Sequence, residues 1–377
     1  MKIGGIRLND SNYQCMGCGA VIQTEDPDQA GYLPASAFAK GIEKGSFYCQ
    51  RCFRLRHYNE IPDIVVDDDV FMERLTEIGE DQAYIIHLID IFDIEASLLT
   101  ALPRYIGRNK FSLVANKMDL LPASINQDRV IRWLKKLAKD QGLKTDQVLL
   151  ISSQKQQNLD ALYQLIKEKL RRQNVYIVGI SNVGKSTLIN RLIEHFGGDK
   201  EIITTSNYPG TTLDLIRIPV TDSTAIVDTP GIIRRSQMIH YLDPQDRQVI
   251  MPKKMLKPTT FQLNSGQTIF LGGLARIDYP AGERMALTIY TSRDLYLHRT
   301  KLSQADRLYQ DQLGHLLSPP RFDQAKEFPK IIAHPLKLSA GEDIAISGLG
   351  WFTSHQTVQL ILHLPKGVEF ARRPSII

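Results

Sequence analysis

The order in which short motifs occur constrains this chain more than any single motif does. Gly179-Ile180-Ser181-Asn182-Val183-Gly184-Lys185-Ser186 matches G-x-x-x-x-G-K-[ST], the phosphate-loop pattern. Asp228-Thr229-Pro230-Gly231 follows it as a D-x-x-G. Asn116-Lys117-Met118-Asp119, an N-K-x-D suited to reading a guanine base, comes well before the loop. Its customary companion, Ser152-Ser153, also comes first. Groups that converge in space are indifferent to chain order, so one pocket remains available to them. What the order changes is the element from which the chain leaves that pocket.

Apolar runs alternate with amphipathic ones around these motifs. Tyr84–Ile89, Phe111–Ala115, Val148–Ile151 and Val175–Val178 read as buried parallel strands, continuous in apolar residues. Helical patterns run over 127–141 and 158–171 and from Ser186 to Phe196, and Ile216–Val220 and Thr224–Val227 complete the set of strands. Such alternation calls for an α/β domain, a parallel sheet with helices on both faces, placed at 61–236. Beyond it, Gln267–Leu271, Met285–Tyr290 and Val358–Leu362 read as strands split by Gly and Pro, with a helix from Gln304 to Leu317. Residues 237–377 are therefore expected to form a β-rich α+β domain, and residues 1–60 a short, turn-rich, cysteine-bearing one.

Composition excludes several classes. A chain of 377 residues with 43% hydrophobic and 23% charged content is long enough for two or three globular domains. No apolar run approaches the roughly eighteen residues of a membrane span. The N-terminal Met1-Lys2-Ile3-Gly4-Gly5-Ile6-Arg7 lacks the apolar core of a secretory signal. All four cysteines fall in the first 52 residues, which fits a reducing compartment and thiolates used for metal. A cytoplasmic location without membrane attachment is expected. The net charge of +5 favours a nucleic-acid partner only weakly.

The pocket can be assigned group by group. Backbone N–H groups of Gly179, Ser181, Asn182, Val183 and Gly184, with Thr187 in the turn that follows, would wrap the phosphates at a helix N-terminus. Lys185 would reach the β- and γ-phosphates, and the Ser186 hydroxyl would bind magnesium. Asp228 would meet the same ion through water, and Gly231 would offer its N–H to the γ-phosphate. A switch threonine is expected between the two motifs, Thr212 first and Thr211 as the fallback. Asp119 can accept from the ring N–H and exocyclic amine of guanine, a donor pair that adenine lacks. Asn116 would contact the other edge of the base, the Lys117 stem would cover its face, and the Ser152-Ser153 backbone would meet its carbonyl. Ile232 stands where Ras-like enzymes carry a water-orienting glutamine, so slow intrinsic hydrolysis is expected.

Cys15-x-x-Cys18 and Cys49-x-x-Cys52, separated by residues 19–48, offer four thiolates with the spacing of a tetrahedral, structural zinc site. A redox C-x-x-C is the rival, though it needs only one pair. Arg51, Arg54, Arg56 and His57 trail the second pair. Arg171-Arg172, Arg234-Arg235, Lys253-Lys254 and Arg372-Arg373 are scattered elsewhere; each reads as a solvated face or a phosphate contact with RNA.

The succession of base-reading motif, serine loop, phosphate loop, switch threonine and D-x-x-G resembles the circularly permuted GTPases. With an N-terminal cysteine finger and a C-terminal β domain it is similar to the YqeH family, related to the nitric-oxide-associated proteins of plant organelles. Ile89-Asp90-Ile91-Phe92-Asp93 resembles that family's D-I-F-D segment. The resemblance covers nearly the whole chain, with specific motifs as far as about residue 235. It implies GTP and GDP as ligands with magnesium, and a role in assembly of the small ribosomal subunit, whose precursor and rRNA would be partners. Asn182 resembles the asparagine that binds potassium in cation-activated GTPases, which implies potassium-stimulated hydrolysis. The alternative is that Asn182 merely suits the turn. In this arrangement the D-x-x-G segment runs directly into residues beyond 240, so loss of the γ-phosphate could pull on the C-terminal domain. Two further readings stand beside this one: an RNA-binding module in which nucleotide is structural, and a cysteine-based redox protein. The sequence does not fix the oligomeric state.

Overall fold

A computed structural model of the chain describes residues 13–16, 20–27, 31–50, 52–53, 65–66, 75–196, 216–229 and 231–377. By their contacts they divide into two units. The first holds Met1–Asp90, Leu99–Lys117 and Lys135–Ile233; the second holds Ile91–Leu98, Met118–Leu134 and Arg234–Ile377.

The first unit is organised on a six-stranded sheet. A two-residue strand β1 (Val65–Val66) precedes β2 (Ala83–Asp90), β3 (Lys110–Asn116), β4 (Val148–Leu150), β5 (Asn174–Val178), β6 (Ile216–Pro219) and β7 (Ala225–Asp228). Every residue of β2 is buried, as a strand covered on both faces requires. Its pairings with β3 and β5, and those of β3 with β4 and β5 with β7, are parallel; only the edge pair β6 and β7 is antiparallel. Helices form where apolar residues recur at helical spacing. Leu188, Ile189, Leu192 and Ile193 of helix Lys185–Phe196 are buried, as are Leu159, Leu162, Leu165 and Ile166 of helix Leu159–Lys169.

Spatial order across the sheet is β4-β3-β2-β5-β7-β6. Counted instead from the phosphate-loop strand β5, with β2 to β4 placed after β7, the same sheet reads 2-3-1-4-5-6. The winding is that of one continuous α/β sheet whose chain has been opened between its third and fourth strands. The chain steps from β2 to one side and from β5 to the other, so the direction reverses between these two neighbours. Ligands of such sheets settle at the carboxyl ends of the strands at that reversal.

The second unit carries two five-stranded antiparallel sheets. A two-residue β8 (Gly231–Ile232) ends the first unit, after which come β9 (Thr259–Leu263), β10 (Gln267–Leu271), β11 (Ala275–Tyr279), β12 (Met285–Tyr290) and β13 (Leu297–Lys301). They are followed by β14 (Ile331–Leu338), β15 (Glu342–Ile346), β16 (Gly350–Ser354), β17 (Val358–Pro365) and β18 (Phe370–Pro374). The orders are β13-β10-β11-β17-β14 and β18-β15-β16-β12-β9. Alternate residues of both sheets meet in one core, including Ile269, Ile277, Leu287, Ile344, Phe352 and Leu362. Phe270 points the other way in β10 and packs with Ala305 of helix Leu302–Gln312. That helix ends five residues before the expected Leu317, because the chain turns extended at Leu313 (φ −62°, ψ 128°) just ahead of the left-handed Gly314. Beneath it Asp278 accepts from Arg276 Nε at 2.7 Å and from Thr268 Oγ1 at 2.7 Å, and its Oδ2 lies 2.8 Å from His363 Nε2. Burial alone would raise the Asp278 carboxyl, but these hydrogen bonds hold it below the usual carboxylate range.

Of the paired basic residues, Arg373 is not on a solvated face. Its guanidinium is buried in the second unit, donating to Glu95 Oε1 at 3.0 Å and Oε2 at 2.8 Å. The rings of Trp351 and Trp133 lie 5.2 and 5.6 Å from it.

His87, at the middle of β2, is wholly buried and accepts the Leu99 N–H at 3.0 Å. Burial lowers its pKa from 6.5 to about 4, so the folded protein holds it neutral. A depressed histidine leaves stability intact above the unfolded value and removes it as pH falls through 6.5 toward 4. The shift corresponds to roughly 3 kcal/mol. Denaturation at a series of pH values should show His87→Gln losing less stability than wild type across that window; equal losses would contradict the assignment.

Candidate nucleotide-binding site

The motif residues come together because parallel strands present their carboxyl ends on one edge. β2 ends at Asp90, β3 at Asn116, β5 runs into Gly179, and β7 ends at Asp228. The phosphate loop then turns into helix Lys185–Phe196. Asn182 and Gly184 take left-handed φ values of 65° and 89°. A Cβ at Gly184 would stand 2.5 Å from Asn116 Nδ2, so close approach as well as φ demands glycine there. Asparagine tolerates the left-handed region, so the turn by itself accounts for Asn182. Its side chain is exposed, and its carbonyl accepts from Lys117 Nζ at 2.5 Å.

Asn116 ties the base-reading strand to two loops. Its Nδ2 donates to Val183 O at 2.9 Å, and its Oδ1 accepts from Ser153 N at 2.9 Å and Ser153 Oγ at 3.0 Å. The sequence places this carboxamide against the base; the fold gives it a second part, as a brace between phosphate loop and serine loop, because the end of β3 lies between them. Lys117, itself at φ 66°, sends its ammonium to Asp90 Oδ2 at 2.6 Å as well as to Asn182 O. Its stem is thereby fixed, as covering a flat base requires. Asp119 lies just beyond, in the 3-10 turn Met118–Leu120, and is half-buried. The serine loop is closed by Ser152 and Gln157, each donating N–H to the other's carbonyl at 3.0 Å.

On the phosphate side, Lys185 Nζ lies 3.3 Å from Asp228 Oδ1 and donates to Thr229 O at 2.5 Å. Both charged side chains are 2% exposed, so either would be an uncompensated buried charge without the other. Thr229 is held by its hydroxyl, which donates to Ile177 O at 2.9 Å. The N–H of Ser181 donates to Ile232 O at 2.9 Å, linking the phosphate loop to the residue after D-x-x-G. Gly231 and Ile232 are buried and pair in parallel with Val65 and Val66. Ser186 is half-buried in the first helical turn, while Thr187 beside it is exposed. Thr211 and Thr212 lie outside the described residues. The arrangement joins a cation and a carboxylate at the phosphate end to a fixed lysine stem at the base end. Asp90 and Thr229 carry this geometry without having been assigned a part in it; the acidic end of a largely apolar, fully buried strand was the available signal for Asp90.

Cys15, Cys49 and Cys52 are buried, with sulfur atoms all within 4.8 Å of one another. The Cys49 N–H donates to Cys15 Sγ at 3.2 Å. Zinc–sulfur bonds of about 2.3 Å give tetrahedral edges near 3.8 Å, so three thiolates so placed fit the ion. Cys18, the fourth expected ligand, and Arg51, Arg54, Arg56 and His57 lie outside the described residues. Tyr13, Phe38 and Phe47 form a small aromatic cluster in the same region, with ring centroids 4.6 to 5.7 Å apart.

Comparison with known proteins agrees with this geometry. Residues 174–257 match the family described as 50S ribosome-binding GTPase, and residues 284–376 the family described as YqeH-like, C-terminal. The chain is 45% identical over 365 residues to the uncharacterized protein YqeH of Bacillus subtilis, covering 96% of this chain and 99% of that one. It is 26% identical over 426 residues to the chloroplastic/mitochondrial NO-associated protein 1 of Arabidopsis thaliana, covering 96% and 76%. It is 28% identical over 373 residues to the Arabidopsis chloroplastic GTP-binding protein Brassinazole Insensitive Pale Green 2, covering 87% and 56%.

Replacing Asn116 with alanine removes three hydrogen bonds worth about 1 kcal/mol each. Calorimetry should show GDP affinity lowered at least about tenfold and thermal unfolding at a lower temperature. Unaltered binding together with unaltered melting would remove the brace from the account.

Proposed function

The chain belongs to the YqeH family of circularly permuted GTPases, and on that premise we propose that it is a slow, potassium-stimulated GTP hydrolase that assists assembly of the small ribosomal subunit. The observation that carries the catalytic half is the joining of base-reading and phosphate-binding segments through Asn116 and Lys117. Magnesium would be held by Ser186, by Asp228 through water and by the switch threonine, and would neutralise charge on the β- and γ-oxygens. Lys185, already buried against Asp228, supplies a fixed cation for the same oxygens. Ile232 has no polar atom to orient water, which supports a slow intrinsic rate. The exposed Asn182 side chain beside the phosphates supports a potassium site, whose charge would assist as an arginine finger does elsewhere.

A ribosomal role rests on the family and on the second unit. The description naming the 50S particle belongs to a match confined to residues 174–257, from the phosphate-loop strand into the start of the second unit, so the subunit is not decided by it. A surface cleft lined by Lys257, Phe261, Arg293 and Tyr296 combines cations with aromatic faces, as single-stranded RNA contacts do. The thiols' burial at 1 to 2% exposure disfavours a redox role.

Nucleotide gating is supported by what the second unit gathers. Gln237, a few residues past D-x-x-G, donates to Asp93 Oδ2 of the D-I-F-D segment at 2.6 Å. Met238 N donates to Ser347 O at 2.9 Å, and Glu369 N to Ser236 O at 3.1 Å. Trp133, on the helix after the base-reading motif, donates to Pro374 O at 3.0 Å. Chain leaving D-x-x-G and the base-reading motif, together with the D-I-F-D segment, is thus tied to the same sandwich. Among the described residues no helix is long and apolar enough to cross a membrane.

Hydrolysis should be several-fold faster in potassium than in sodium buffer, with GTP preferred over ATP; equal rates would discard the potassium site. Hydrogen exchange at 342–376 should differ between GDP and a non-hydrolysable GTP analogue, and identical protection would end the gating idea. Tight nucleotide binding with no turnover, even with small subunits added, would favour the RNA-binding module instead.

A further inference from the structure

We propose that Ser181 is the residue that orients the attacking water in GTP hydrolysis, an inference that rests on the GTPase reading above. Ser181 is 5% exposed, and its Oγ is buried with no hydrogen-bond partner among the described residues. A buried hydroxyl left unmatched is unfavourable, and contact with a bound ligand relieves it. Its position narrows what that ligand group is. Ser181 lies in the phosphate loop, yet its N–H is bonded to Ile232 O, so it stands against the chain that leaves D-x-x-G. The γ-phosphate is the group that falls between these two motifs, and the attacking oxygen must approach it in line, from the side away from the leaving bond.

Among the described residues, the other buried side chains at that junction are committed or apolar. Lys185 is engaged with Asp228 and Thr229 O, Lys117 with Asp90 and Asn182 O, and Ile232 is wholly apolar and buried. The water-orienting group that other GTPases place after D-x-x-G is here moved across the Ser181–Ile232 hydrogen bond onto the phosphate loop. In the reaction the water oxygen bonds to the γ-phosphorus while the bond to the β–γ bridging oxygen breaks. That electron pair leaves with GDP, and the water proton passes to a phosphate oxygen. Ser181 is neither acid nor base in this step. Its Oγ accepts a hydrogen bond from the water and its O–H donates to a γ-phosphate oxygen, aligning the attack.

The full-length protein in magnesium and potassium provides the test, comparing wild type, Ser181→Ala and Ser181→Thr. Steady-state rates are measured alongside calorimetric affinities for GDP and a non-hydrolysable GTP analogue. Ser181→Ala should lower kcat about 10- to 100-fold, within the range of single polar contacts to a transition state, with both affinities kept within about twofold. Ser181→Thr, which keeps the hydroxyl, should recover most of the rate. An alanine variant with wild-type kcat overturns the proposal. So does one that loses affinity for GDP or for the analogue in step with its rate, or a threonine variant as slow as alanine. A wild-type protein that binds neither GTP nor GDP would instead defeat the GTPase reading, a failure visible without any variant.

Discussion

The carboxamide of Asn116 and the ammonium of Lys117 are the contacts on which the nucleotide site depends. Together they fasten the end of β3 to Val183 and Asn182 of the phosphate loop, to Ser153 of the serine loop and to Asp90 at the end of β2. None of these contacts records which segment comes first in the chain. Hydrogen bonds and ion pairs depend on distance and direction, so a pocket held in this way survives reordering of its parts. Residues 65 to 67 apart in sequence are brought to 2.5 and 2.9 Å, and the covalent connection between them is free to be rerouted.

Rerouting has a mechanical consequence. In a sheet wound from the phosphate-loop strand, the chain leaving D-x-x-G would return to the same sheet. Here it continues through Gln237 and Met238 into the antiparallel sandwich. The sandwich also takes up the chain just after β2, through Phe92 and Glu95, and just after the base-reading motif, through Leu120 and Trp133. Arg373 joins two of these segments, with its charge paired to Glu95 and its plane near Trp133. Buried ion pairs and packed aromatics have discrete arrangements rather than continuous ones, which suits them to passing on a small displacement.

Much was legible in the sequence. Strands β2, β3, β5, β10 and β12 are where continuous or alternating apolar runs put them, because burial on one or two faces leaves that imprint on residue choice. The phosphate loop, the D-x-x-G and the paired cysteines were legible because their chemistry needs particular atoms at fixed short spacings. Less legible were groups whose partners are remote. Arg373 reads as half of an exposed basic pair until Glu95, 278 residues earlier, is found against it. Asn116 reads as a base contact, and its bracing of Val183 and Ser153 shows only in the fold. The helix that reads on to Leu317 stops at Gln312, since a glycine near a helix end is a stop or a tolerated interruption according to what packs beyond it.

The chain by itself determined that a guanine-nucleotide pocket exists, that its parts are permuted, and that cysteines suited to zinc precede it, all through local chemistry. Tertiary structure alone decided which charges neutralise one another, which phosphate-loop hydroxyl finds no partner among the described residues, and that chain leaving β2, the base-reading motif and D-x-x-G meets in one sandwich. Those outcomes depend on which remote residues approach within a few ångströms, and pairwise distance between remote residues is not encoded in any single stretch of sequence.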